Sequence, residues 1–565
     1  MPEGHTIRCV IASGGAARRG QRPQHVWTLL EREPGGLTPG RRGAAGPHRE
    51  GEEPKLVMHG REKSDPAIVA KKSANAAVQA AVWMEPRAGA EENASWQSTC
   101  RAQDRESVSQ ALERVRTVAQ AKEKERFTAL LHHVNPAMLR TAFYALKRDA
   151  APGVDGVTWA DYEADLDGNI EALHKKVHSG AYRAQPARRR YIPKPDGRQR
   201  PLAITALEDK IVQRAVAEVL NAIYEQDFLG LSYGFRPGRS QHDALDALIT
   251  GITSTKVNWI VDADIQSFFD QVSQEWLVRF VEHRVGDTRI IRLIQKWLKA
   301  GVLDEETVTV SDKGTGQGSV ISPLLANIYL HYVFDLWAER WRRRNATGDM
   351  IVVRYADDIV VGFEHETDAH RFLEEMRERL QAFALTLHPE KTRLIEFGRQ
   401  AANRREKQGL GKPETFNFLG FTFICGKSRR GKFLLKRRSR RDRLQAKLRE
   451  VKEELQRRRH QSIPRQGAWL GQVVRGYFAY HAVPTNIRAL QTFRDCVMDL
   501  WRRSLRRRGQ RDKTTWQRIK RLADDYLPRP RILHPWPEQR FAVRHPRWEP
   551  YAGMPLVRFC AGGVR

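Results

Sequence analysis

The sequence predicts an α+β chain divided among several domains, and three observations carry that expectation. A length of 565 residues is more than one hydrophobic core organises, so roughly three or four domains are expected. Short runs of aliphatic and β-branched residues, of strand length, meet carboxylates in the middle of the chain, whereas apolar residues at helical spacing dominate before and between them. Beyond these the composition turns basic: residues 427–459 hold sixteen Lys and Arg against four Asp and Glu.

In chain order, residues 1–95 read as a poorly ordered leader, rich in Gly, Ala, Arg and Glu without a sustained period. Residues 107–148 read as helical, with Val108, Ala111, Leu112 and Val115 on one side, then Phe127, Leu130 and Leu131. A turn follows at Pro152-Gly153-Val154-Asp155-Gly156, and Pro195-Asp196-Gly197 interrupts a basic stretch from 188 to 200. Leu207, Ile211, Ala215, Val219 and Leu220 place a helix over 205–226. Residues 259–263 read as a short strand, 320–337 as a mostly apolar helix, and 351–363 as a hairpin with Asp357-Asp358 at its tip. The basic stretch contains a helix over 444–455, and an aromatic, Gly-punctuated segment follows at 469–480. Arg502 to Arg508 form another basic cluster. Past Leu527, Pro528, Pro530, Pro535 and Pro537 exclude a long helix, so this tail is expected to lie extended over other elements.

Charge narrows the partners. With 97 Lys and Arg against 67 Asp and Glu, the net charge is +30, which attracts polyanions, nucleic acid first among them. Charge alone does not separate an enzyme acting on nucleic acid from a ribosome-associated or nucleoid protein. Cys9, Cys100, Cys425, Cys496 and Cys560 are far apart and form no CxxC pair, which argues against a zinc ribbon or a disulfide scaffold. That usage agrees with a reducing cytoplasm. No apolar signal segment opens the chain and no run of about 18 apolar residues occurs, so no membrane span is expected.

The carboxylates carry the chemistry. Ile260-Val261-Asp262-Ala263-Asp264-Ile265 delivers two Asp from one strand, and Ile351-Val352-Val353-Arg354-Tyr355-Ala356 leads into Asp357-Asp358, after which Ile359-Val360-Val361 returns. Adjacent Asp at a hairpin tip repel one another unless a cation sits there. A third carboxylate on a neighbouring strand completes a site for two Mg²⁺ ions, held about 3.5–4 Å apart and suited to phosphoryl transfer. Asp262 and Asp264 share a strand face, because side chains repeat every two residues, and spacing does not choose between them. Taken alone, an Asp-Asp pair is equally well a solvated turn; the surrounding blocks decide.

Those blocks resemble one family. Tyr355-Ala356-Asp357-Asp358 is similar to the YxDD signature of reverse transcriptases, in the form with Ala that group II introns use. In matching order stand Arg190-Tyr191-Ile192-Pro193-Lys194-Pro195-Asp196-Gly197, Glu208-Asp209-Lys210-Ile211-Val212-Gln213 and Gly234-Phe235-Arg236-Pro237-Gly238-Arg239-Ser240. Then come Gly316-Gln317-Gly318-Ser319 with Ser322-Pro323-Leu324-Leu325-Ala326-Asn327, His388-Pro389-Glu390-Lys391-Thr392, and Phe418-Leu419-Gly420-Phe421. From about residue 105 to 545 the chain resembles the group II intron-encoded reverse transcriptases and maturases.

The resemblance implies a right-hand polymerase fold, fingers and palm, followed by an α-helical thumb and maturase domain. It divides the chain into the leader at 1–95, an N-terminal extension and fingers at 96–250, a palm with the active site at 251–424 (interleaved with the fingers from about 185), a basic thumb and maturase region at 425–510, and a Pro-rich tail at 511–565. It makes Asp264, Asp357 and Asp358 catalytic metal ligands, with the Ile265 carbonyl as a further ligand to two Mg²⁺ ions that Mn²⁺ can replace. Asp264 is preferred over Asp262 because the family block begins at Asp264-Ile265. Lys194 and Arg200 are implied to hold the triphosphate, Phe269 to contact the incoming sugar, Gln317 the nucleotide and Lys391 the pyrophosphate. Phe418, Leu419 and Gly420 are implied to support the primer terminus.

Two departures stand out. Gly316 replaces the Pro usual before Gln-Gly, which removes a fixed φ from the loop. Ala203 and Thr205 stand where Gly and Pro are common, with little effect expected.

Residues 528–540 resemble the tail of shorter members, so the resemblance implies a form without the C-terminal HNH nuclease common in the family. The implied partners are structured group II intron RNA, an RNA template with a DNA primer, target DNA and deoxynucleoside triphosphates, in the cytoplasm and without a membrane. Two other readings stay open: a domesticated reverse transcriptase serving phage defence or spacer acquisition, and a non-catalytic RNA-binding splicing factor. A second, short resemblance, of Met1-Pro2-Glu3-Gly4-His5-Thr6 to the start of the endonuclease VIII family, ends almost at once.

Overall fold

The computed structural model describes residues 97–544 apart from 123, 194–198, 305, 306 and 510–513, all within one compact unit, Ala76–Arg565. The leader at 1–95, Lys194 and the tail past 544 lie outside the described residues. Helices and sheets are mixed, as the α+β expectation requires. The strands are β1 Ala187–Pro193, β2 Gln199–Ile204, β3 Trp259–Asp264, β4 Val302–Asp304, β5 Thr307–Thr309, β6 Met350–Tyr355, β7 Asp358–Phe363, β8 Arg393–Glu396, β9 Phe416–Phe418, β10 Phe421–Lys427 and β11 Phe433–Ser439.

They form three sheets, in the orders β2-β1-β4-β5, β6-β7-β3-β8 and β11-β10-β9. The second is wholly antiparallel, with β3 between β7 and β8. Its strands alternate between two cores. Val261, Ala263, Val352, Ile359 and Val361 join a large cluster around the helix Leu207–Asp227, while Ile260, Ile351, Val353 and Val360 join another shared with Phe416, Phe418, Phe421 and Phe423 of the third sheet. Apolar residues on both faces explain why these strands read as continuous hydrophobic runs. A third core lies within the C-terminal helices, where Val451, Leu470, Val474, Leu490, Phe493 and Trp501 meet.

Helix ends follow local chemistry. Ser240 and Asp243 form a reciprocal capping box at the start of Gln241–Ser254, and Asn135 caps Pro136–Tyr144 by accepting from the Met138 N–H. The predicted helix over 320–337 forms as Ser322–Leu330, a π-helical turn His331–Asp335, and a continuation Leu336–Arg344. The predicted helix over 107–148 divides: Gln97–Ala121 ends before a loop, and Pro136–Tyr144 begins anew.

The boundary expected at 424/425 cuts through β10. Its pairing with β11 runs from Phe421↔Ser439 to Lys427↔Phe433, so this basic stretch begins as sheet. Past Leu527 the chain is extended as the prolines require, and Leu533 and His534 donate backbone N–H groups to the Ala482 carbonyl. A helix, Pro537–Arg544, then starts at proline, tolerated in a first turn. From it Arg540 pairs with Asp246 on Gln241–Ser254, the same carboxylate that Arg437 of β11 engages at 3.1 Å. Among the described residues no helix is long and apolar enough to cross a membrane.

Candidate active site

Strand register brings the carboxylates together. Asp264, the last residue of β3, stands directly across from Asp358, the first residue of β7. Tyr355 pairs with Asp358, so Ala356 and Asp357 form a two-residue hairpin loop. Ala356 has φ +56°, a value for the first loop position that favours Gly. Phe235 and Leu419, in the blocks named above, and Ser267, three residues past Asp264, also take positive φ. Such backbone persists where surrounding contacts over-determine it.

The contacts are visible at the turn. A Cβ on Gly234 would lie 2.3 Å from the Ala356 nitrogen, so only glycine lets the 231–236 loop pass so close. That loop lies along β6: the Arg354 N–H donates to the Leu231 carbonyl, and the Tyr233 N–H to the Arg354 carbonyl, both at 2.9 Å. On the other strand, the 388–392 loop clasps Asp264. The His388 N–H donates to the Asp264 carbonyl at 2.8 Å, and the Thr392 hydroxyl accepts from the Asp264 N–H at 3.4 Å.

The site carries excess negative charge. Burial pushes the Asp357 carboxyl above its usual range and the charge of Asp264 adds to the rise, while its own backbone N–H and the charges of Arg200 and Arg354 pull the other way. Asp358 lies at the open rim, yet the atoms packed about its carboxyl, joined by the charges of Asp357, Asp264 and Asp262, push its pKa up to about 7. Asp262 has its own partner, Arg393 at 3.6 Å, and burial raises it to about 6. Lys391 donates to Asp264 Oδ2 at 2.8 Å, and so stands on a carboxylate of the site, where the sequence places it near pyrophosphate.

Among the described residues no three or more His, Cys, Asp or Glu side chains gather closely enough to hold an ion. The donor chemistry still fits a hard divalent cation. Asp264, Asp357 and Asp358 offer only oxygen, and their mutual repulsion is the imbalance that a cation relieves. Ile265 is buried beside them, with its backbone bridged to Leu387.

The other expected residues surround this group. Arg200 is the second residue of β2, exposed, opposite Ile192. The Gln317 loop docks on the same strand, the Ala203 N–H donating to the Gln317 carbonyl at 2.7 Å, and a Cβ on Gly318 would come within 2.7 Å of the Ala203 carbonyl. The loop also lies against Phe269, whose carbonyl accepts from the Thr315 N–H at 2.9 Å. Phe268 is buried and Phe269 is half-buried beside it, their rings edge to face. Gly316 has φ +24°, which proline cannot adopt; the departure gives this loop its own path instead of merely loosening it.

Leu419 and Gly420 form the turn between β9 and β10, held by the Tyr480 hydroxyl donating to the Leu419 carbonyl at 2.7 Å. Phe418 is in the core, 3% exposed, so its side chain braces the turn from within and offers no surface to a primer. His481 and Asn486 also turn inward: Asn486 bonds the Ser439 N–H and hydroxyl, and burial lowers His481 to about 4.

Sequence reasoning missed Arg354, Asp335 and the clasp at 388–392. A signal existed for the first: an Arg inside an apolar strand must find a buried partner.

Comparison with known proteins agrees with this arrangement. Residues 192–423 match the family of reverse transcriptases (RNA-dependent DNA polymerases), a span that holds Asp264, Asp357, Asp358, Arg200, Phe269, Gln317, Lys391 and the Leu419–Gly420 turn. The chain is 36% identical over 300 residues to protein YkfC of Escherichia coli, covering 46% of this chain and 77% of that protein. It is 34% identical over 222 residues to the group II intron-encoded protein LtrA of Lactococcus lactis, 39% of this chain but 37% of LtrA. An uncharacterized 91 kDa protein in the cob intron of Schizosaccharomyces pombe is 41% identical over 162 residues, 29% of this chain and 20% of that protein. The chain belongs to the group II intron-encoded reverse transcriptase and maturase family.

Proposed function

We propose that the protein copies group II intron RNA into DNA by two-metal nucleotidyl transfer and helps that RNA fold and splice. The observation that carries the polymerase reading is the register of Asp264 with Asp358 beside Asp357 at the hairpin tip. Asp264, Asp357 and Asp358 would hold two Mg²⁺ ions, or Mn²⁺ in their place, with the Ile265 carbonyl assisting. When bound, the ions supply the charge that activates a primer 3′-hydroxyl and stabilises departing pyrophosphate.

The chain's own groups do the positioning. The first sheet would serve as fingers, the second as palm and the basic helices as thumb. Lys194 and Arg200 would grip the triphosphate, one as a point charge and the other as a fork. Gln317 would lie along the nucleotide, on a loop already fixed between Ala203 and Phe269. Lys391 compensates Asp264 and would serve pyrophosphate once cations take over that charge. The Leu419–Gly420 turn would support the primer. The 528–544 segment packs on the helix at 241–254 through Arg540 and Asp246, and on the end of the helix at 463–481 through the Ala482 carbonyl. Target DNA would be a further partner, met in the cytoplasm.

Extension of a DNA primer on an RNA template with Mg²⁺ tests the proposal; no product across several templates and primers would contradict it. Two variants refine it. In Phe269→Ala, the ring that opposes a 2′-hydroxyl is gone, so ribonucleotide incorporation should rise more than about tenfold relative to deoxynucleotide, about 1.4 kcal/mol. Matched single-nucleotide extensions read that ratio, and an unchanged ratio in an active variant removes Phe269 as the gate. In Gly234→Ala, the new methyl displaces the catalytic turn, and extension should fall about 100-fold with intron RNA affinity retained. Equal losses of both would point to misfolding instead.

A further inference from the structure

Arg354 is completely buried in β6, two residues before the turn that carries Asp357. Its Nε and Nη2 donate to the two oxygens of Asp335, at 2.7 and 2.6 Å, and Asp335 is also completely buried. Its Nη1 donates to Asn327 Oδ1 and to the carbonyl of Ala356, each at 3.0 Å. Asn327 in turn donates from Nδ2 to the Gly234 carbonyl at 2.7 Å. One guanidinium and one amide therefore hold both sides of the tightest contact in the site, where Gly234 meets the Ala356 nitrogen. Asp335 closes the π-helical turn His331–Asp335; such turns are rare and frequent at functional sites.

Stability does not account for this arrangement. A buried ion pair is often matched or bettered by well-packed apolar side chains of similar volume. What apolar side chains cannot do is hold the carbonyl of a residue at φ +56°. We infer that Arg354, Asp335 and Asn327 are positioning residues for nucleotide transfer: through the Ala356 carbonyl they fix the direction in which Asp357 leaves the hairpin. This rests on the polymerase reading of the site.

The test is the double variant Arg354→Met/Asp335→Leu, with Asn327→Ala as a second, milder variant. Three quantities are compared with wild type: thermal unfolding, kcat and KM for single-nucleotide incorporation, and Mn²⁺ affinity of the protein alone by electron paramagnetic resonance. The double variant should unfold near the wild-type temperature. Its kcat should fall about 100-fold, as expected for small misplacement of a reacting constellation, with KM for the nucleotide little changed. Its Mn²⁺ affinity should fall about tenfold, the usual cost of losing an outer-shell partner. Asn327→Ala should move kcat and Mn²⁺ affinity the same way by less. Folded variants with wild-type kcat and Mn²⁺ affinity would overturn the inference and leave the pair a packing feature. If the double variant does not fold, Asn327→Ala decides by the same readouts. If wild type itself makes no product, the polymerase reading fails separately, and the Mn²⁺ comparison still decides whether these residues set the turn.

Discussion

Replacing Asp357 with Asn is expected to lower DNA synthesis at least about a thousandfold while leaving intron RNA affinity within about twofold of wild type. The substitution keeps size and removes one charge from a group whose work is to hold cations. It also removes a repulsive neighbour of Asp264 and Asp358, so the folded protein should lose no stability. The sign follows from the raised carboxyl pKa: an ionised Asp357 is less favourable folded than unfolded, and a neutral residue avoids that cost. The exposed cations assigned to RNA lie on another part of the chain, including Arg443, Arg449, Lys452 and Arg457. Primer extension and filter binding on one preparation measure both quantities. A loss of RNA affinity as large as the loss of synthesis would contradict the separation of catalysis from grip.

Salt should have an effect of similar size on binding alone. A surface that neutralises about six to ten phosphates loses roughly 10³–10⁵ in affinity between 50 and 200 mM salt. The helix Arg441–Arg457 is amphipathic in the required sense, with Val451 and Leu455 buried and Arg441, Arg443, Arg449 and Lys452 exposed. Some of its cations already have partners, as in Lys447 with Glu450 and Arg457 with Glu454. These are exposed helix pairs of small worth, and they yield readily to phosphate. A flat salt titration would remove this surface from the account.

The β6-β7-β3-β8 sheet was legible because its strands are apolar on both faces and end in charge. Residues 259–263 and 351–363 were placed by the length of their apolar runs and the charges that end them, but the hairpin loop falls at Ala356 and Asp357, one residue before the expected Asp357-Asp358 tip, because Asp358 pairs with Tyr355. Spacing left Asp262 and Asp264 equivalent; in the structure Asp264 stands across from Asp358 and pairs with Lys391, while Asp262 stands across from Val360 and pairs with Arg393. Contacts between distant segments were not legible. That Arg437, counted among the basic stretch, is buried against Asp246 depends on a pairing 191 residues apart. Nor was the continuity of β10 past residue 424 legible: composition changes there, yet the strand pairs across it. Nor did any local pattern announce the π-helical turn at 331–335, whose last residue, Asp335, pairs with Arg354.

The central claim, that Asp264, Asp357 and Asp358 form a metal-dependent polymerase centre, is tested most directly by single-nucleotide incorporation on an RNA template with a DNA primer. The purified full chain should add the deoxynucleotide complementary to the template base, only with Mg²⁺ or Mn²⁺ present. Addition should stop with a chelator and in Asp357→Asn. A folded, RNA-binding protein that adds no nucleotide with either metal, or that adds it equally well in Asp357→Asn, would contradict the account.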